Sequence, residues 1–405
     1  MRTFRLCSLA ALLLVVATCS QADLPLPLGP IEFSGLPGGG EPNLFTTSDG
    51  RVLLSWHEPT EDGGSALRMA VRTTEGWSEP KTIAEDREFF VNWADFPSLI
   101  ELTDGSLLAH WLEKTARSTY AYHVMLSSST DGGVTWSEPV RPHRDMSPTE
   151  HGFVSMVPLP DGGAAIVWLD GRAMAGGVGS DGHGSGDMSV RFTTMAAGQT
   201  FGEELLLDDR TCECCQTAMV RTDDGNLVAA YRDRSDQEIR DIAVARLVDG
   251  KWSQPYHVGD DNWHFTACPV NGPSLSTAGS TVVIAWFSAP DGDSRAAVAF
   301  SRDGAVTFGD PVRIDDGNPI GRVDIELLAD GAALVIWLEK VGGAAEVRAR
   351  RVEASGVAGR SWTVAHTSQA RRSGFPRMTR VGDEMVFAWT DVERGVRVAA
   401  VTIGQ

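Results

Sequence analysis

Long helical periods are scarce in this chain of 405 residues, and only one apolar run, residues 9–17, stands out. A helical fold and a multi-span membrane protein are both disfavoured by that pattern. Basic residues are also in short supply, with 35 Lys and Arg against 54 Asp and Glu, a formal net charge of -19. Such a surface repels nucleic acid and anionic membranes, so neither is expected as a partner. Cysteine is sparse, six in all, and two of those, Cys7 and Cys19, fall in the first twenty residues. What the chain does have is 43 glycines and short alternating apolar runs, the signature of an all-β protein.

The most informative stretch is Ser129-Thr130-Asp131-Gly132-Gly133-Val134-Thr135-Trp136, which fills every fixed position of Ser-x-Asp-x-Gly-x-Thr-Trp, the Asp box. It predicts a tight turn between strands, with the Ser and Asp side chains bonding the turn's own amides. A second copy, residues 301–308, has Ala305 at the glycine position, and a third, residues 194–201, keeps Gly198, Thr200 and Phe201 but has Ala196 in place of the aspartate. Beside it runs a longer period. Seven segments read as strand, polar turn, strand ending in an aromatic, and those aromatics are Trp56, Trp111, Trp168, Tyr231, Trp286, Trp337 and Trp389. Their spacing of 51 to 63 residues is that of a four-stranded blade with loops. The period predicts one seven-bladed β-propeller over residues 30–405, with the last blade completed by Pro30-Ile31-Glu32-Phe33. Each sheet of a propeller is covered by its neighbours, so this length needs no domain boundary.

At the N-terminus, Arg2 and Arg5 precede an apolar run of signal-peptide length, predicting an export leader over residues 1–22. Val16-Ala17-Thr18-Cys19 is similar to a bacterial lipobox, which would make Cys19 a lipid anchor. Ser20-Gln21-Ala22 is a competing cleavage site that gives a soluble product. Either way the expected location is the bacterial cell envelope or outside it.

Strand direction places every Asp box at one end of the propeller, the bottom, and assigns function to the loops at the top. Two residues after six of the seven aromatics stands an acid: Glu58, Glu113, Asp170, Asp233, Glu339 and Asp391. That regularity argues for a repeated structural task. Departures from the repeat are the better functional candidates: His57, Arg172, the run Tyr231-Arg232-Asp233-Arg234, Arg240, Arg322 with Asp324, and Ser288. Arg172, Arg232 and Arg234 are expected to grip a carboxylate, with Asp170 or Asp233 handling protons and His264 at the edge. The alternative is that each arginine only neutralises an adjacent acid. Trp93 and Trp263, in insertions before blades 2 and 5, offer indole faces suited to sugar rings, or simply pack. The glycine-rich residues 173–187 read as a flexible linker or as a lid carrying His183 or Asp187.

Cys212, Cys214, Cys215 and Cys268 precede the inner strands of blades 4 and 5, so they should meet on one side of the top rim. In an oxidising compartment they predict disulfides, with Cys268 bonded to one of the other three and a vicinal Cys214–Cys215 bridge as one option. A copper or zinc thiolate site with His264 is the other reading.

With its Asp boxes and repeat, the chain resembles the sialidase (BNR/Asp-box) superfamily over nearly its whole length. The resemblance implies a propeller, of six blades in sialidases themselves, and an exo-sialidase-like activity. In such enzymes an arginine cluster grips the substrate carboxylate, an Asp is the acid/base and a Tyr paired with Glu is the nucleophile. Here Glu41-Pro42-Asn43-Leu44-Phe45 replaces the usual Phe-Arg-Ile-Pro, and no late blade carries a tyrosine, since Tyr120, Tyr122, Tyr231 and Tyr256 are the only four. Arg172, Arg232, Arg234 and Arg322 are the arginines from which a cluster could be rebuilt. Two function classes therefore follow: a monomeric propeller that recognises a carbohydrate or small anion, with or without glycoside hydrolysis, or a noncatalytic propeller that binds an envelope protein or a metal.

Overall fold

A computed structural model describes residues 29–30, 33, 37–175 and 186–403. The leader with Cys19, and the glycine-rich stretch with His183, lie outside the described residues. Seven small antiparallel sheets form a ring, six of them built from consecutive strands and the last completed by a strand from the N-terminal side. The inner strands are Gly40–Thr46, Ser98–Glu101, His151–Pro158, Ala218–Arg221, Ser274–Ala278, Pro319–Leu327 and Arg377–Val381. They line the axis in chain order, and the first lies against the last. The fold is a seven-bladed β-propeller, not the six-bladed sialidase form. Three single-turn 3-10 segments are the only helical structure among the described residues, and no helix there could cross a membrane.

Aromatics of the repeat sit between sheets. Trp56, Trp168, Tyr231, Trp286 and Trp337 are 0% exposed and Trp111 is 1%. Each brings about 150–250 Å² of apolar surface to a seam between blades, so these side chains dominate blade-to-blade adhesion. Trp389 is only half-buried. Its blade is completed by Gly29–Pro30, paired with Ala400 and Ala399. That closure corrects the expected strand at residues 31–33. Ile31 and Glu32 lie outside the described residues, and Phe33 turns beneath blade 1, edge-on to Trp56 at 5.1 Å and Trp77 at 5.4 Å.

The outer strands are interrupted, and proline is the reason. Trp77, Trp136 and Trp252 are each followed by Ser, a polar residue and Pro, as in Ser78-Glu79-Pro80. The serine hydroxyl takes the amide of the third strand, Val71, Ser128 or Arg246, at 3.0–3.1 Å. Proline, with no N–H, then breaks the ladder. The Asp boxes close hairpins of the same kind, before Trp136 and Phe308. Asp131 accepts from Ser129, Val134 and Thr135, and Asp303 repeats the set with Ser301, Val306 and Thr307. Ala305 at the glycine position takes φ 61°, so the turn holds even without glycine.

The acids two residues past the aromatics have a shared task at the seams. The indole N–H of Trp56 donates to Glu58 at 3.1 Å, Trp111 to Glu113 at 3.4 Å, Trp168 to Asp170 at 2.9 Å and Trp337 to Glu339 at 2.6 Å. Where the pattern lapses, the acceptor comes from the segment before: Tyr231 donates to Asp208 and Trp286 to Asp261, both at 2.7 Å. A buried N–H without an acceptor costs roughly 1–3 kcal/mol, which explains the regularity. Glu339 also accepts from the Asn318 amide at 2.6 Å. Glu339→Ala is therefore expected to destabilise the protein by at least about 2 kcal/mol, read as a lower midpoint in urea unfolding, whereas the same change at exposed Glu79 should leave the midpoint unmoved.

Candidate functional site

Side-chain partners at the top rim decide which charges are open to a ligand. Arg172 forms a fork with Asp170, two contacts of 2.7 Å, and meets Glu204 at 2.6 Å. Arg234 is held by Glu238 at 2.7 Å and by Glu213. Arg232 is 1% exposed, and its guanidinium donates to the backbone carbonyls of Asn271, Arg240 and Phe287 while lying 4.9 Å over Trp263. Burial lowers its pKa to about 9. Arg240 is locked by Glu213 and Glu238. The guanidinium of each of these arginines is occupied by the protein itself.

Asp170 is fully buried. Burial alone would raise its pKa, but the bonds from Arg172, with His151 and Trp168, hold it at about 2, which leaves it ionised and unable to donate a proton at neutral pH. Asp233 accepts from His257 at 2.8 Å and from the Arg234 amide at 2.7 Å. Trp263 is 4% exposed, packed against Phe265 and Phe287, and so offers no open face. His264 is exposed at the end of a bridge to Ile239. Arg322 is buried, bonded to Ser373 and Gly374 at 2.9 Å, and stacked 4.5 Å from Trp93.

The cysteines pair as Cys212–Cys215 and Cys214–Cys268, with Cα atoms 5.8 and 6.2 Å apart. The inter-blade link to Cys268 matches expectation. The vicinal Cys214–Cys215 bridge does not form, because each partner instead reaches a sulfur at ordinary disulfide span. The sulfurs of Cys212, Cys214 and Cys268 also lie within 4.8 Å of one another, so reduction of the bridges would gather three thiols at one point.

A different set of residues converges on the axis. The chain enters several inner strands through a left-handed residue: Glu41 at φ 55°, Phe153 at 53°, Val270 at 51° and Arg322 at 55°. Register shifts mark bulges at the first, second and fourth of these. Bulges re-aim side chains, and strained non-glycine backbone collects at functional sites. Gly152 precedes one of them because an added Cβ would stand 2.1 Å from an Asp95 oxygen. Phe153 and Val270 border a top mouth of about 160 Å³ whose lining includes Trp93, Tyr120, Tyr122, Glu150, the Cys214–Cys268 bridge and Arg371. Beneath it an axial cavity of about 170 Å³ is lined by Asp95, Gln216 and Phe375.

Three acids and phenols at this mouth are tightly coupled. Tyr122 donates to Glu150 at 3.3 Å, and burial, with Glu150 and Asp95 beside it, holds the phenol well above its usual pKa. Asp95 accepts the Phe153 amide at 2.7 Å, while its second oxygen is buried without a partner. Burial and the Glu150 charge push Asp95 up to about 8, so it carries a proton at neutral pH. Arg371 is exposed above them and makes no ion pair among the described residues. Sequence reasoning passed over Asp95, Tyr122, Glu150 and Arg371. Their signal was positional: each lies in a top loop or at a strand's top end, but outside the repeat positions that drew attention.

The solved structures similar to this chain are propellers of low sequence identity. A lectin from Burkholderia pseudomallei matches with a TM-score of 0.64 at 12% identity, covering 92% of this chain and 98% of its own. A polysaccharide lyase, an ulvan lyase bound to a saccharide of GlcA and Rha3S, matches at 0.61 and 10%, covering 92% and 96%. A protein of unknown function from Dyadobacter fermentans matches at 0.53 and 16%, covering 94% and 99%. No curated protein sequence matches the chain. The BNR repeat-like domain model matches residues 50–386, from the first hairpin to the last blade. The repeat, the Asp boxes and that match over most of the sequence agree, and the chain belongs to the BNR repeat-like domain family.

Proposed function

We propose that the protein recognises an acidic or polyhydroxylated carbohydrate at the top mouth of its propeller. The observation that carries this reading is Arg371, a guanidinium free of ion pairs among the described residues, standing over a pocket walled by Trp93, Tyr120 and Tyr122. A planar cation beside aromatic faces suits a uronate or similar sugar, whose carboxylate takes the fork and whose ring lies on an aromatic. The lectin and lyase likenesses support a carbohydrate ligand without naming it. In this reading Arg172, Arg232 and Arg234 are scaffold. On a glycan array, Arg371→Ala and Trp93→Ala are expected to weaken the best ligand by about tenfold or more, the usual loss of a charged hydrogen bond or an aromatic contact, with melting temperature nearly unchanged for Arg371→Ala and lowered for Trp93→Ala, which also gives up its contacts with Arg322 and Phe375. Arg232→Ala should instead lower the melting temperature sharply. The reverse pattern would return the site to Arg232.

A second reading, turnover of the bound sugar, rests on Tyr122, Glu150 and Asp95. Glu150 is placed to accept the phenol proton, and Asp95 holds a proton in reserve at neutral pH, the two states that a nucleophile with its base and a general acid require. Chromogenic glycosides should then be cleaved by the native protein and not by Tyr122→Phe or Asp95→Asn. Stability gives an independent check. Asp95 has a folded pKa of about 8, above its ordinary 3.8, so its contribution is full below about pH 4 and is lost as pH rises through 8. Asp95→Asn is neutral at every pH, and its melting temperature relative to the native protein should rise from pH 4 to pH 8.

We further propose export to the cell envelope, on the strength of the leader over residues 1–22. Mass spectrometry of the mature N-terminus separates a diacylated Cys19 from cleavage after Ala22, and an intact Met1 would reject both.

A further inference from the structure

Away from the mouth, three histidines meet at the top of the seam between blades 2 and 3. His123 stands near the start of the third strand of blade 2, His143 in the segment after that blade's outer edge, and His151 opens the inner strand of blade 3. All are buried, at 5, 4 and 0% exposure, and one ring nitrogen from each lies within 4.8 Å of the others. The rings of His143 and His151 are stacked with centroids 4.1 Å apart, and His123 closes the group at 4.8 and 5.0 Å.

Hydrogen bonds fix where the lone pairs point. His143 donates from Nδ1 to the Asp145 carbonyl at 3.0 Å, which leaves Nε2 as the bare nitrogen, buried and without a partner among the described residues. His151 lies 3.2 Å from the carbonyls of Tyr122 and Thr149 through Nδ1, so that atom must carry the proton. Its Nε2 then faces two carboxylates, Asp145 at 3.1 Å and Asp170 at 3.7 Å. The Nδ1 of His123 is likewise buried without a partner. Several electron-rich atoms thus converge on one point, and a cation among them resolves the repulsion. A carbonyl on the far nitrogen is the arrangement that orients histidines toward a metal.

We propose that His123, His143 and His151, with Asp145 as the adjoining carboxylate, bind one divalent transition-metal ion of the zinc type that staples blade 2 to blade 3. Three imidazoles with an oxygen donor suit zinc or copper rather than calcium or magnesium. An ideal tetrahedral site sets its nitrogens about 3.3 Å apart, so the rings must draw in by on the order of an ångström. Access is present: a cleft of about 510 Å³ beside the cluster is lined by His123 and His143. Asp170, already committed to Arg172, stands 3.7 Å from the same Nε2 and adds negative charge on the metal side of the ring.

The test uses the purified native protein, stripped with a strong chelator and titrated with Zn²⁺ by calorimetry, with Co²⁺ as a spectroscopic probe. Expected are one Zn²⁺ per chain, a higher melting temperature with Zn²⁺, and visible Co²⁺ bands of low coordination number. His143→Ala and His151→Ala should each weaken Zn²⁺ binding by at least about tenfold; circular dichroism verifies that they fold, and His143→Gln serves where alanine does not. Overturning results are no stoichiometric Zn²⁺ uptake by the native protein, or uptake that folded His143 and His151 variants retain. A doubly protonated His151 in nitrogen NMR spectra, unchanged by Zn²⁺, would likewise overturn the proposal and assign the cluster to an imidazolium–carboxylate pair.

Discussion

Every seam of this propeller is filled by a large aromatic, and all seven carry a polar hydrogen into or beside a place from which water is excluded. That hydrogen must find an acceptor inside the protein, and the rest of the top face is arranged around the need. Four indoles take a carboxylate two residues along their own strand. Two more rings take one from the segment before. Carboxylates so placed are buried charges, and buried charges require cations. Hence Arg68 beside Glu58, Arg87 beside Glu113 and Arg172 beside Asp170. Much of the charge on the rim is thus a sequel to aromatic burial, and charge abundance is a poor guide to where a ligand sits.

This ordering explains what was legible in the sequence. Aromatic period, Asp-Gly hairpins and Asp boxes are local patterns, each written within a few residues, and they were enough to read the blade number, the strand order and a link from Cys268 to one of Cys212, Cys214 and Cys215 in the adjacent blade. The acids after the aromatics were legible as structural for the same reason. The mouth was not. Tyr122 and Glu150 are 28 residues apart, Asp95 and Phe153 are 58 apart, and Arg371 arrives from the opposite side of the ring. Juxtapositions made by ring closure leave no mark at any fixed spacing. The closing strand was misplaced by a few residues because Phe33 satisfies an apolar pattern equally well beneath blade 1.

The mouth and the histidine cluster differ in how their unsatisfied groups are held. At the mouth, left-handed residues lift side chains out of the strands, and Gln216 ties three blades by donating to the Ala94 carbonyl and accepting from the Gly272 amide. Trp93 rests against Arg322 and Phe375, which also touch each other. The aromatic wall is therefore set before any ligand arrives, which lowers the ordering entropy that binding must overcome. At the histidines, backbone carbonyls fix the tautomers, and the orientation of the rings is inherited from two neighbouring sheets.

The two-residue strand that closes the ring makes the seven seams mechanically unequal. Gly29 and Pro30 contribute two ladder positions, whereas the seam between blades 4 and 5 carries a covalent cross-link through Cys214 and Cys268. Tension applied to the chain ends would peel the short strand from Ala399 and Ala400 first, turning a closed circle into an open array whose terminal blades fray inward. Unravelling would then proceed from both ends and stall where the sulfur bridge pins the fourth and fifth blades together, so that pair of blades would be the last part of the molecule to lose its shape.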